Sequence, residues 1–297
     1  MKLPFWLDRL FRYVVFGNIW VSFAAVCMFW ATEKLFQIQE KPTTGIFIFG
    51  GTLFIYNFHR LFRMKAIYAK HSSDRHNWII KNRNHVIGLT LLGFILALAG
   101  GFAFFNKETI GVLLPFVLIS LFYVIPIYKK ESVWIRLRDV SYVKIFLVAG
   151  VWTFVTVCLP LVILPDFHFQ SLQSPNIILT ASQRFLFFFA ITLPFDIRDL
   201  EHDRKNGVRT FAALLGVDGI KNFSRVLLVL VTLIALFCYK QGYYLPGHTL
   251  AMIISCASTS WLISKADENS NEYYYSGWLD GTLMDQYFWM IFFASMF

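Results

Sequence analysis

Asp196-Ile197-Arg198-Asp199-Leu200-Glu201-His202-Asp203 directly follows the apolar run Ile177–Phe195. Its aspartates stand at i, i+3 and i+7. At about 100° per residue these positions fall within roughly 60° of arc, so a helix puts all three carboxylates on one face. Like charges at this spacing repel. A divalent cation among them relieves the repulsion, and Mg²⁺ suits hard oxygen ligands that it shares with phosphate. The stretch therefore predicts a helix that leaves an apolar layer and carries a cation site at its mouth.

Composition agrees with an apolar layer. The chain of 297 residues is 57% apolar and only 15% charged, with 33 Phe, 13 Tyr and 9 Trp. Soluble domains carry about 25% charged residues. Nine apolar runs read as transmembrane helices: Val14–Ala31, Thr44–Phe58, Val86–Phe105, Ile110–Tyr128, Ile145–Leu164, Ile177–Phe195, Phe223–Tyr239, Tyr244–Ser264 and Gly277–Phe297. Backbone in hydrocarbon must satisfy its own hydrogen bonds, which calls for helices; the runs do not alternate as barrel strands would. The expectation is an all-α integral membrane protein, a single domain over 1–297, with no Gly-, Ser- or Pro-rich linker.

The basic residues test this topology. The N-terminus and the even-numbered loops hold 21 Lys and Arg against 4 on the other side, and Arg184 and Arg225 lie within runs. The positive-inside rule puts the N-terminus in the cytoplasm and the C-terminus outside. The net charge of +9 follows from this bias and calls for no nucleic-acid partner. Residues 1–13 mix Lys2, Arg9 and Arg12 with Trp6, Leu10 and Phe11, which reads as an interfacial amphipathic helix. The four cysteines all fall inside runs without metal spacing and read as core residues.

Three polar clusters then face one membrane surface: Asp196 to Asp203, the end of the second run around Asn57, His59, Arg60 and Arg63, and the end of the fourth around Lys129 and Lys130. Deeper in the runs lie Arg184, Asp280 and Asp285. Charge at that depth is costly, so Arg184 is expected to meet an acid or an anion, Asp285 being the candidate by depth.

With its trailing Arg204-Lys205-Asn206-Gly207-Val208-Arg209-Thr210 and Ala212-Ala213-Leu214-Leu215-Gly216, the Asp196–Asp203 stretch closely resembles the second signature of the UbiA-type intramembrane prenyltransferase superfamily. That resemblance implies a nine-helix UbiA-like bundle around a central cavity. It implies Mg²⁺ held by Asp196, Asp199 and Asp203, the catalytic residues, and an isoprenyl diphosphate whose prenyl group passes to an aromatic or lipophilic acceptor. Asn57, Arg60, Arg63, Lys129 and Arg209 are the expected diphosphate contacts, and segments 59–85 and 196–221 the expected caps. The expected location is a bacterial inner membrane. The family's first signature, Asn-Asp-x-x-Asp-x-x-x-Asp, is altered. With Asn57 in its first Asp position the next two become Arg60 and Met64; with Asn57 in its Asn position the three become Phe58, Leu61 and Lys65. Either way no carboxylate remains, and arginine suits direct grip on phosphate. The alternative expectation is a UbiA-like fold that binds a lipid or quinone without catalysis.

Overall fold

The computed structural model describes residues 4–39, 41–62, 74–130, 133–140, 142–164, 167–205, 209–268 and 270–296. Of residues 5, 130, 133, 135 and 202–205 the backbone alone is described. Among the described residues the chain forms a predominantly helical membrane bundle, and five of its helices are long and apolar enough to cross a membrane.

The first run is displaced from its expected bounds. Helix α1 covers Phe5–Phe16, and α2 covers Ile19–Phe36. Between them Asn18 is left-handed at φ 62°, a conformation that short polar side chains tolerate. Gly17 sits against the Tyr13 carbonyl and Leu89, where a Cβ would lie 2.3 and 2.9 Å from its neighbours. Val14 to Phe16 thus close the amphipathic entry helix, and the span begins afresh at Ile19.

Helix α3 (Pro42–Phe62) packs closely on α5 (Arg83–Gly101), with the short α4 (Asp74–Lys81) between them in sequence. A Cβ on Gly50 would stand 2.4 Å from the Ala97 nitrogen, and one on Gly93 2.6 Å from the Phe54 nitrogen. Lipid tails are as apolar as leucine, so helices in a bilayer associate through such close backbone packing. Helix α6 (Lys107–Phe122) is capped by Asn106, whose Oδ1 accepts the Thr109 N–H at 2.7 Å. A short antiparallel hairpin, β1 (Tyr128–Lys130) and β2 (Val133–Ile135), follows.

Helix α7 (Val143–Val162) contains a π-turn at Phe154–Cys158, ahead of Pro160. Helix α8 (Pro175–Lys205) carries the aspartates; α9 (Phe211–Lys240) kinks at Gly216, which adopts φ 70°. Helix α10 (Pro246–Ser264) precedes a π-segment at Tyr274–Leu279 that leads into α11 (Asp280–Ala294). By length and composition α2, α5, α7, α8 and the α9 region Phe211–Lys240 can each cross a membrane. Rows of exposed apolar residues, such as Leu91, Ile95 and Leu98 on α5 and Val226, Val229 and Leu233 on α9, suit contact with lipid.

The interior is built around α8. Phe187, Phe188, Ala190 and Leu193 are almost fully buried and pack against α2, α7, α9 and α11. This layer fixes the rotation of α8, and with it the face on which its C-terminal aspartates emerge.

Candidate active site

One end of the bundle opens into a cavity of about 820 Å³. Its deep wall is apolar, with Val21, Ile55, Val151, Trp152, Phe188 and Leu283. Its rim is charged: Arg60, Arg75, Arg138, Lys144 and Arg198 stand with Asp74, Asp196, Asp199, Glu272 and Asp280. A polar mouth above an apolar pocket suits an amphiphilic ligand with a charged head.

The α8 wall brings Asp196 and Asp199 together, one helical turn apart. Lys144, in the first turn of α7, places its Nζ 2.6 Å from Asp196 Oδ1. Arg198 donates from Nε and Nη2 to the two oxygens of Asp199, at 2.9 and 3.1 Å. Its guanidinium lies over the Phe195 and Tyr275 rings, 5.0 and 5.6 Å from their centroids, which orients the pair. Asp203 follows on the same helix, but its side chain lies outside the described residues.

Glu272 joins three elements. Its Oε2 is 3.3 Å from Arg75 Nη1 on α4 and 3.6 Å from Arg198 Nη1 on α8. Arg75 Nη1 also donates to Ser276 Oγ at 3.1 Å. Burial lowers the Arg75 pKa from its ordinary value, against the opposing pull of Glu272. Two guanidiniums that share one carboxylate keep unspent donor capacity beside the cavity.

The α3 wall carries Tyr56, His59 and Arg60. Tyr56 accepts the Trp152 Nε1 proton at 3.3 Å, and His59 Nε2 pairs with the Ser120 carbonyl at 2.8 Å. Asn57 has a different task. Its amide donates to the Gly17 and Leu53 carbonyls, both at 3.0 Å, and accepts from Asn18 at 2.9 Å. It is fully buried and pins the α1–α2 break, so both its N–H donors are already taken.

Of the other expected contacts, Arg63 lies outside the described residues. Lys129 is exposed on β1 and Arg209 is exposed ahead of α9; neither lines the cavity. Arg138, from the same inter-helix segment as Lys129, and Lys144, from the first turn of α7, do so instead. The turn Leu137–Asp139 presents Arg138, whose guanidinium lies over the Tyr123 ring at 5.8 Å. Arg136 braces that turn through hydrogen bonds of 2.7 Å to both Asp139 oxygens. Burial alone would raise the Asp139 pKa; these bonds outweigh it and hold the carboxyl below the ordinary value.

The expected pairing of Arg184 with an acid does not occur among the described residues. Arg184 is almost fully buried, and its Nη1 donates to Gln286 Oε1 at 2.8 Å and to Met28 Sδ at 3.0 Å; Nη2 donates to Thr32 Oγ1 at 3.2 Å. Asp285 instead accepts from Ser258 Oγ at 2.7 Å. Depth along α11 was right, but one residue is about 100° of helix rotation, and Gln286 is the residue that faces α8. Asp280 lines the cavity.

The sequence profile of the UbiA prenyltransferase family matches residues 80–291, more than two-thirds of the chain. The chain belongs to the UbiA prenyltransferase family. Solved UbiA homologues share its fold. One from Aeropyrum pernix K1, without ligand, is 12% identical with a TM-score of 0.64, over 96% of this chain and 98% of that one. One from Archaeoglobus fulgidus, bound to GPP and Mg²⁺, is 12% identical with a TM-score of 0.61, over 95% and 98%. A structure of digeranylgeranylglyceryl phosphate synthase is 13% identical with a TM-score of 0.57, over 98% and 100%. No curated protein sequence matches significantly.

The donors of this UbiA-family cavity fit one magnesium ion. Asp196 and Asp199 offer two carboxylates, and magnesium commonly takes one or two carboxylates together with substrate phosphates and water. Among the described residues no group of three His, Cys, Asp or Glu side chains forms a protein-only cage. On the α3 wall the fit fails: Arg60 is a cation and Asn57 is committed to the backbone.

Arg75, Lys144 and Glu272 escaped the sequence reading. Arg75 and Lys144 had been absorbed into the positive-inside pattern. A faint signal existed for Lys144, the one basic residue placed immediately before an apolar run.

Proposed function

We propose that this protein is an intramembrane prenyltransferase that transfers an isoprenyl group from a prenyl diphosphate to an aromatic or other lipophilic acceptor. The observation that carries this reading is the juxtaposition, in one cavity, of the Asp196 and Asp199 carboxylates with Arg60, Arg75 and Lys144 above an apolar chamber. The diphosphate head sits at the rim and the prenyl tail lies among Trp152, Phe188 and Leu283. Asp196, Asp199 and Asp203 would hold Mg²⁺, which when bound would supply charge neutralisation for the diphosphate.

The residues of the chain do the rest. Arg60 takes the side on which the usual first Asp-rich motif would stand, and binds diphosphate oxygens directly; Arg138 and Lys144, which line the cavity where Lys129 and Arg209 do not, are the further basic contacts. Lys144, now paired with Asp196, follows the negative charge onto the leaving group as the C–O bond breaks. Trp152 and Phe188 offer π-faces to the allylic cation, which the acceptor captures with loss of a proton. The expected cap segments, 59–85 and 196–221 of the single domain 1–297, include residues 63–73 and 206–208, which lie outside the described residues. The cavity opens to the cytoplasm, in keeping with the excess of basic residues on that side, and the membrane is a bacterial inner membrane.

Binding of radiolabelled geranyl diphosphate to the purified protein tests the reading. Arg60→Ala and Asp199→Ala should each weaken binding about 10- to 100-fold, since each removes a charge-assisted contact to phosphate. The Asp199→Ala loss should require Mg²⁺; the Arg60→Ala loss should persist without it. Absence of any prenyl diphosphate binding, with or without Mg²⁺, ends the proposal.

A further inference from the structure

The acceptor loses a proton as it bonds to the prenyl group, and most carboxylates of the cavity are already engaged. Asp196 is paired with Lys144 and Asp199 with Arg198, while Arg75 and Arg198 share Glu272. Asp74 is exposed at the outer rim. Asp280 remains. It lines the cavity, and among the described residues it makes no hydrogen bond and no ion pair. An ionisable side chain within a membrane run marks a functional site by default.

Its height in the cavity gives it a role. Leu283, one turn further along α11, belongs to the apolar wall. Arg198, Arg75 and Arg60, at the charged rim, lie within electrostatic reach of Asp280. Asp280 therefore stands at the boundary between the diphosphate seat and the tail chamber, the layer that holds C1 of the prenyl group. Tyr56 shares this layer. It lies one turn along α3 from Arg60, feels the charge of Asp280, and accepts the Trp152 Nε1 proton at 3.3 Å. Trp152 is one of the rings set against the allylic cation, so the carboxylate faces the layer in which the new bond forms.

We propose that Asp280 is the catalytic base of the transfer, and that the acceptor presents a neutral hydroxyl to it. The inference rests on the prenyl-transfer reading. The hydroxyl donates a hydrogen bond to the carboxylate. The bond from C1 to the diphosphate oxygen breaks, and its electron pair leaves with the diphosphate. A lone pair of the hydroxyl oxygen forms the new bond to C1, and the hydroxyl proton passes to Asp280. The product is an ether, and the proton then goes to water at the open mouth. Other acceptor groups fit less well. An ionised carboxylate has no proton to donate to Asp280, and an alkylammonium can donate but has no lone pair with which to attack.

Purified protein with Mg²⁺ and tritiated geranyl diphosphate, given 4-hexylphenol or its methyl ether 4-hexylanisole, tests the assignment. The phenol should yield the geranyl aryl ether, and the methyl ether, which has no O–H, should yield nothing. Asp280→Asn, close in shape, should lower kcat about 10²- to 10⁴-fold. The same variant should bind geranyl diphosphate no more weakly than wild type, since it removes a negative charge near Arg60 and Arg75. A second measurement needs no variant. Wild type loaded with the non-ionising analogue geranyl S-thiolodiphosphate should bind 4-hexylphenol about tenfold more tightly than 4-hexylanisole. Equal binding of the two probes, a kcat for Asp280→Asn within about threefold of wild type, or a product joined through a ring carbon overturns the proposal. So does weaker geranyl diphosphate binding by Asp280→Asn, which would make Asp280 a structural counter-ion. Wild type that binds geranyl diphosphate without transfer to 4-hexylphenol overturns this assignment alone; wild type that binds no prenyl diphosphate overturns the prenyl-transfer reading with it.

Discussion

Glu272→Gln removes the carboxylate that Arg75 and Arg198 share, and the cost can be worked from the geometry. At separations of 3.3 and 3.6 Å, each pair has a Coulomb attraction of about 5 kcal/mol at an effective dielectric near 20. Desolvation offsets most of that. Loss of one partner from a buried pair costs about 3–5 kcal/mol, because the other charge is left behind. Here the side chains keep 9%, 15% and 17% exposure for Arg75, Glu272 and Arg198, and Arg198 keeps Asp199. The net loss should be about 2–3 kcal/mol. At about 2 °C per kcal/mol for a chain of this size, the thermal midpoint falls by about 5 °C. Tryptophan fluorescence on heating in detergent reads this directly, since Trp78 and Trp152 flank the region. Arg75→Met should cost a similar amount, and the double variant should cost less than the sum by 1–2 kcal/mol or so. Additivity within about 0.5 kcal/mol would refute the shared-carboxylate argument, whatever the size of the single effects.

Gln286→Leu should destabilise by about 2 kcal/mol, by stripping a charged hydrogen bond from buried Arg184, and a further Arg184→Met should recover most of it; chemical unfolding of the two variants checks this. Gly93→Ala should cost roughly 1–3 kcal/mol, because the new methyl meets the α3 backbone at 2.6 Å; the thermal midpoint of the variant reports it. The depressed Asp139 pKa adds stability that is fully present above the ordinary carboxylate value of about 4 and is lost as pH falls through the lower folded value. The midpoint difference between wild type and Asp139→Asn should therefore be present at pH 7 and fade below about pH 4.

Much of the fold is legible because it rests on local patterns. Apolar run length marks each helix, the basic bias orders the loops, and the i, i+3, i+7 spacing puts Asp196 and Asp199 on one wall. What escaped depends on rotation and on distant partners. Gln286 rather than Asp285 meets Arg184 because adjacent residues on a helix point about 100° apart. The commitment of Asn57 to Gly17 and Asn18 is set by a chain break some forty residues earlier, invisible in a run that reads as continuously apolar. Arg75 and Glu272 meet across about two-thirds of the chain, and no spacing rule links them. Lys129 and Lys130 stand at the end of the fourth run, but the turn braced by Arg136 and Asp139 brings Arg138 to the cavity instead.

The environment of Arg184 also has a consequence in time. Met28 and Thr32 are made before it, but Gln286 lies 102 residues further along the chain. At about 5–20 residues per second, α8 waits roughly 5–20 s for its strongest partner. A central arginine costs about 2.5–3.5 kcal/mol on insertion into a bilayer. During synthesis α8 must therefore be sheltered beside α2, or held at the insertion machinery, until α11 arrives. A nascent chain stopped short of residue 286 would leave that arginine with only its Met28 and Thr32 contacts, which makes α11 the helix that completes its hydrogen bonding.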